Sequence, residues 1–153
     1  NRTSDRAQDL ADKVCAQGIV AEAAPDLAAA VARADIVTCC TMSTDPVLCG
    51  DWLRPGQHID LIGAYRPDMR EVDDTALHRA RIFVDSFDTT LDHIGELRIP
   101  LAAGTLSRDA VLADYYTPQA FVRASDDITL FKNGGGAHMD LMTSRYILDC
   151  WQG

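Results

Sequence analysis

The strongest constraint on the fold is a series of short apolar segments set between stretches of helical period. Asp35 to Thr41 (DIVTCCT) runs without polar alternation, and His58 to Ile62 and Arg81 to Asp85 (RIFVD) follow it along the chain. A strand with one wet face alternates apolar and polar side chains, whereas a strand covered on both faces does not. Between these segments the apolar residues recur at helical spacing. Ala7, Leu10, Ala11 and Val14 share one face, and Leu27, Ala30, Val31 and Ala34 another. Thr3 or Ser4 stands where a cap belongs, Gly18 where the first helix should stop, and Pro25 where the second should open. Ile19-Val20-Ala21 reads as a further short strand, and Asp73 or Asp74 caps a helix running through Leu77 and Ala80.

Strand and helix in this rhythm predict parallel, right-handed βαβ units. The expected fold class is α/β, a Rossmann-type doubly wound parallel sheet. After Ser86 the rhythm weakens, and residues 89–126 read as short helices and loops. Ile128 to Lys132 is extended again and leads through Asn133-Gly134-Gly135-Gly136 into a final amphipathic helix bearing Met139, Met142, Tyr146 and Cys150. The expected division is a partial Rossmann nucleotide-binding domain over 1–126 and a C-terminal strand and helix segment over 127–153.

Composition serves mainly to exclude. The 153 residues fit one domain. A net charge of -9 argues against a nucleic-acid partner, which needs clustered Lys and Arg. No apolar run approaches the ~18 residues that cross a bilayer, so no membrane role is expected. The five cysteines are odd in number and form no CxxC pair, which argues against a disulfide framework or a metal site and for a reducing cytoplasm. Cys39 and Cys40, inside an apolar run, are expected in the core.

An open α/β sheet binds ligands outside the carboxyl ends of its strands. The loops there read Thr41-Met42-Ser43-Thr44-Asp45-Pro46, Gly63-Ala64-Tyr65-Arg66-Pro67 and Asp85-Ser86. A chain opening Asn1-Arg2-Thr3 before a helix is similar to the end of a second Rossmann strand. Arg and Thr there suit a 2′-phosphate, and so NADP, because both donate hydrogen bonds to it. A helix cap beside a solvated arginine is the competing reading. The GxGxxG fingerprint is absent, and Gly134-Gly135-Gly136 does not replace it. Those glycines suit either a tight turn or close approach to a ligand.

Taken together, NRT, ADIVTCCTMSTDPVL, WLRPGQHIDLIGAYRPDMREVD, ARIFVDS and DITLFKNGGGAHMDL resemble, in order and spacing, the ornithine cyclodeaminase/mu-crystallin family. The resemblance spans almost the whole chain. It implies a subunit with a Rossmann domain and a separate substrate and dimerisation domain, a small-molecule substrate, a homodimer, and NADP(H) as cofactor with NAD(H) as the alternative. It further implies that this chain is the C-terminal half. The first βα unit with its phosphate-binding glycines and the N-terminal substrate-binding Arg and Lys would lie elsewhere, and the 153 residues alone would be inactive. Carried over by position, Asn1, Arg2, Thr3 and Arg6 match residues that hold the adenosine ribose and its 2′-phosphate. Thr41 and Met42 match a loop that touches the cofactor. Tyr65 lies near the nicotinamide, as do Asn133 and Gly134, and His93 falls near the substrate pocket.

Tyr65 is the informative departure. Cyclodeaminases and the related alanine dehydrogenases carry an Asp there that resembles a general acid/base. Phenols deprotonate only well above neutral pH. Tyr65 thus points away from ornithine cyclisation and towards the family's reductases of cyclic ketimines, whose wording GAYRPDMREVDD and DSFDTTLDHIGELRIPLAAG resembles. The expected reaction is NADPH-dependent reduction of Δ1-pyrroline-2-carboxylate or Δ1-piperideine-2-carboxylate to L-proline or L-pipecolate, with Tyr65 shaping the pocket. An ornithine cyclodeaminase, an alanine dehydrogenase-like enzyme and a non-enzymatic, crystallin-like NADP-binding protein are the alternatives.

Overall fold

The computed structural model describes residues 3–152, so the expectations placed on Asn1 and Arg2 lie outside the described residues. Two compact units divide the chain, Asn1–Arg33 and Ala34–Gly153.

The first unit is a pair of helices, α1 (Ser4–Cys15) and α2 (Leu27–Arg33). Thr3 occupies the cap position of α1, but its hydroxyl accepts no N–H; only its carbonyl is engaged, by Ala7 N at 3.2 Å. Gly18 turns the chain after α1 at φ +82°. The second helix opens later than Pro25, with the Asp26 carboxylate accepting Ala29 N at 3.0 Å. Ile19-Val20-Ala21 is not a strand, contrary to the sequence expectation, and Val20 is 99% exposed. The physical reason is that extended residues become a strand only against a ladder partner, and these have none among the described residues.

The second unit holds a five-stranded sheet in the order β1-β2-β5-β3-β4, with every pairing parallel. Its strands are β1 (Ile36–Cys39), β2 (His58–Leu61), β3 (Ala80–Val84), β4 (Val111–Ala113) and β5 (Ile128–Lys132). The last strand in sequence lies at the centre, pairing Leu61 with Lys132 on one side and Val84 with Lys132 on the other. Helices α3 (Asp74–Arg79), α4 (Phe87–Thr90), α5 (Gly95–Ala103) and α6 (Ala137–Gln152) complete the unit. Asp73 rather than Asp74 caps α3, accepting Ala76 N at 2.8 Å. Strand β4 falls within the region read as helices and loops; at three residues it is too short to carry a period.

Side chains alternate across the pleat, which gives the sheet two unlike faces. Ile59, Leu61, Ile82, Val84 and Leu130 form an aliphatic face and are wholly buried. Each contributes roughly 1.5–3 kcal/mol relative to exposure. Phe83 and Phe131 lie on the other face and are covered by rings from the segment after β4. Phe121 stacks on Phe83 with centroids 4.9 Å apart, and Tyr115 tilts against Phe131 at 5.3 Å.

Candidate active site at the carboxyl edge of the sheet

Because the strands are parallel, their carboxyl ends open on one edge, the ligand edge of such a sheet. Residues 40–43 leave β1 there, 62–65 leave β2, 85–86 leave β3, and 133–136 leave β5.

The first two of these loops are joined by one wholly buried carboxylate, Glu71. Its Oε1 accepts Thr41 N at 2.6 Å and the Thr41 hydroxyl at 2.9 Å. Its Oε2 accepts Gly63 N at 2.9 Å and Ala64 N at 3.3 Å. The Thr41 hydroxyl in turn accepts Ser43 N at 3.4 Å, and Arg70 N donates to Ser43 O at 3.0 Å. Gly63 is required for this closeness: a Cβ there would stand 2.0 Å from Thr41 O and 2.2 Å from Thr41 N.

A second buried carboxylate stands behind the first. Glu96 on α5 accepts Glu71 N at 2.7 Å and Val72 N at 3.1 Å. Burial pushes the Glu96 carboxyl up to about 7, against the pull of those two N–H donors and of Lys132, with Glu71 adding to the rise. Lys132, buried at the end of β5, donates from Nζ to Leu61 O at 3.1 Å. Its burial lowers the ammonium's pKa, opposed by Glu96, Glu71, Asp85 and Asp60. Burial, then the charges of Glu71 and Glu96, raise the Cys39 thiol to about 12. Cys39 is thus a neutral thiol at pH 7 and no nucleophile. Its neighbour Cys40 is exposed rather than in the core, because the chain has left β1 and entered the edge loop.

The other corner of the edge, where β3 and β5 end, is built differently. Asp85 is wholly buried, and its Oδ1 accepts Ser86 N and the Thr90 hydroxyl, both at 2.8 Å. Its Oδ2 is buried without a hydrogen-bond partner, as are Thr89 Oγ1 and His138 Nε2. Gly134 and Gly136 bring the turn after β5 against these groups. A Cβ on Gly134 would come within 2.8 Å of Thr90 Oγ1 and 3.1 Å of Asp85 Oδ1; one on Gly136 would meet the His138 ring at 2.6 Å. Asn133 closes the turn with its own side chain, Oδ1 accepting Gly135 N at 2.8 Å.

The structure brings Thr41, Met42, Tyr65, Asn133 and Gly134 to this one edge. Met42 and Tyr65 stand on it 73% and 58% exposed, and Thr41 supports it from beneath through Glu71. His93 is exposed on the turn between α4 and α5, beside the Asp92–Arg108 ion pair. Thr3 and Arg6 are exposed in the first unit. Sequence reasoning placed Asp85 at the edge but missed Glu71, Glu96 and Lys132. Glu96 lies two residues after Ile94 and just before Leu97, Glu71 stands just before Val72 and Lys132 at the end of ITLFK, and that apolar setting was the available signal.

The family model for the ornithine cyclodeaminase/mu-crystallin family matches residues 1–153. The chain belongs to that family. It is 53% identical over 152 residues to Delta(1)-pyrroline-2-carboxylate reductase of Paracoccus denitrificans (strain Pd 1222), a match covering 95% of this chain and 48% of that protein. Among solved structures, Thermococcus litoralis Delta(1)-pyrroline-2-carboxylate reductase in complex with NADH and L-proline superposes with a TM-score of 0.80 at 28% identity, over 87% of this chain and 43% of that one. An archaeal alanine dehydrogenase dimer with bound NAD gives 0.81 at 28% identity, over 90% and 43%. This chain therefore spans about half the length of the relatives it matches. The Rossmann-type reading of the α/β sheet agrees with these neighbours. No helix among the described residues is long and apolar enough to cross a membrane.

Proposed function

We propose that the full-length protein reduces a cyclic ketimine carboxylate, Δ1-pyrroline-2-carboxylate or Δ1-piperideine-2-carboxylate, to L-proline or L-pipecolate, with NADPH as hydride donor. The observation that carries the reading is Tyr65 in the loop after β2, exposed on the ligand edge at the position where the family resemblance implies an Asp in cyclodeaminases. The relative 53% identical to this chain, named for the pyrroline reaction, supports it.

The edge suits a nicotinamide dinucleotide on two counts. Gly63 and Gly134 hold backbone at distances no side chain would allow. Asp85 Oδ2, Thr89 Oγ1 and His138 Nε2 lie buried and unpartnered at the corner beside Asn133 and Gly134, so a small shift of the turn on binding would bring them partners. When bound, the dinucleotide supplies the hydride. This chain's residues bind and orient. Glu71 fixes the two loops that bear Met42 and Tyr65, and Asn133 fixes the turn opposite. Reduction of a protonated imine breaks no bond to hydrogen in the substrate, so no base of carboxylate strength is needed. Tyr65 serves as a pocket wall and hydroxyl donor. His93 is assigned to the rim of the substrate pocket.

Asn1, Arg2, Thr3 and Arg6 are assigned to the adenosine end, where Arg2 and Thr3 favour the 2′-phosphate of NADP. NAD(H) is the second reading of the cofactor, favoured by the NADH and NAD held in the two solved relatives. The expected boundary at 126 would cut off β5, the central strand of the sheet, so we assign the Rossmann domain through β5 and α6 to the link with a separate substrate domain. We further propose a homodimer, in keeping with the dimeric alanine dehydrogenase neighbour, and a cytoplasmic location, in keeping with five free thiols.

Two assays on full-length protein test the proposal. Ketimine reduction should proceed while ammonia release from L-ornithine with NAD does not; comparable turnover in both would overturn the role given to Tyr65. kcat/KM should favour NADPH over NADH by roughly ten- to hundredfold, the scale of one or two charge-assisted hydrogen bonds. Arg2→Ala should erase that preference.

A further inference from the structure

We propose that Glu71, to which the family resemblance drawn above assigns no role, is the positioning residue for dinucleotide binding. It sets the spacing of the two loops that face the nicotinamide without touching the ligand itself. This inference rests on the functional reading just given and deepens it.

The geometry is that of a single anion spanning two strand ends. One oxygen takes both donors of Thr41, and the other takes the N–H groups of Gly63 and Ala64. Three of the four donors are backbone amides, so the contact fixes main-chain position and not merely side-chain rotamer. Hydrogen bonds to an ionised acceptor are shorter and about twice as strong as neutral ones, and 2.6 Å from Thr41 N is short. Tyr65 follows Ala64 and Met42 follows Thr41, so both exposed residues hang from bonds that end on Glu71. The carboxylate is itself held from behind. Glu71 N donates to Glu96 Oε2, and Glu71 O accepts Val47 N at 2.9 Å and Leu48 N at 3.0 Å.

The arrangement needs an acceptor on both oxygens. Glutamine keeps the shape but turns one oxygen into an amide NH2 facing amide donors, so at least one loop loses its anchor. Aspartate keeps the charge but is one methylene shorter, so it reaches one loop at the expense of the other. A purely structural role would lower the melting temperature or the fraction of active protein, and would leave the dinucleotide KM alone.

The test uses full-length wild type, Glu71→Gln, Glu71→Asp and, as a control of core packing, Val111→Ala in the distant strand β4. NADPH and NADH affinity is read by nucleotide fluorescence, and steady-state rates by ketimine reduction. Both Glu71 variants should raise the dinucleotide Kd and KM, Glu71→Gln by at least about tenfold, the scale of one lost charge-assisted bond. kcat at saturating dinucleotide should change far less. Thr41→Val should weaken binding in the wild type but add less than its full effect in the Glu71→Gln background, because both changes act through one side chain. Val111→Ala should lower the melting temperature and leave Kd unchanged. If Glu71→Gln does not fold, Glu71→Asp and Thr41→Val carry the comparison. Wild-type-like Kd in the folded Glu71 variants, or simple additivity with Thr41→Val, would overturn the proposal while sparing the ketimine reading. A wild type that binds neither dinucleotide would overturn both.

Discussion

The two corners of the ligand edge solve the same problem in opposite ways. Where β1 and β2 end, the loops are fixed from beneath by Glu71, whose partners lie 30 and 8 residues away in sequence. Where β3 and β5 end, the turn is closed locally by Asn133, and three buried polar atoms lack hydrogen-bond partners. A buried polar group without a partner costs about 1–3 kcal/mol. The first corner is therefore pre-organised, while the second leaves buried polar atoms unsatisfied. Rigid support on one side and unsatisfied polar groups on the other distinguish the two halves of the site proposed above.

The largest expected effect tests the pre-organised corner. Gly63→Ala places a methyl carbon 2.0 Å from Thr41 O, on backbone tied to Glu71. Such overpacking against main chain should cost more than about 3 kcal/mol and drop the melting temperature sharply. A near-wild-type melt would mean that the loops are not held at the described spacing.

Glu96 sharpens the comparison through pH. Its carboxyl titrates at about 7 in the folded chain, above the ordinary value of 4.5. Between those values the folded state holds more protons than the unfolded one, so stability falls as pH rises from about 4.5 to about 7, by up to about 3 kcal/mol. Above 7 this contribution is flat. Glu96→Gln should remove that part of the slope, measured by denaturant unfolding at several pH values; an unchanged profile would show that the buried carboxyl does not titrate in this window.

The locally closed corner should respond weakly. Gly135 has φ +69°, with open space around its Cα. Gly135→Ala meets conformational strain alone, about 1 kcal/mol. A cost equal to that of Gly63→Ala would erase the distinction between the corners. Smallest of all, Thr3→Ala should change helix stability by less than about 0.5 kcal/mol, because the hydroxyl caps nothing. A loss near 1 kcal/mol would show an engaged cap.

How much of this was legible follows from where the signals live. Asp35–Thr41 and Ile128–Lys132 announced strands because runs of apolar residues are local, and β5 has the bounds read from sequence. Ile19–Ala21 carried a similar local signal and formed no strand, since pairing is not local. The placement of β5 between β2 and β3 was invisible for the same reason. The loops bearing Thr41, Met42 and Tyr65 were legible because topology assigns ligands to strand carboxyl ends, whereas Asn133 and Gly134 were singled out through the family resemblance. Glu71, Glu96 and Lys132 were not legible, because a charge is tolerated in the core only through partners that the fold supplies, and 71 residues separate Lys132 from Leu61.

The late strand at the centre of the sheet also has a consequence in time. During synthesis β2 and β3 emerge and must wait for residues 128–132 before either gains its neighbour on that side. Until then two strand edges stand open, the kind of surface through which nascent chains associate wrongly. Pairings so far apart in sequence also close slowly, because the loop entropy is lost before the contacts form. The same insertion that lets Lys132 reach Leu61 thus makes the second unit an assembly completed near its own C-terminus, dependent on protection while it waits.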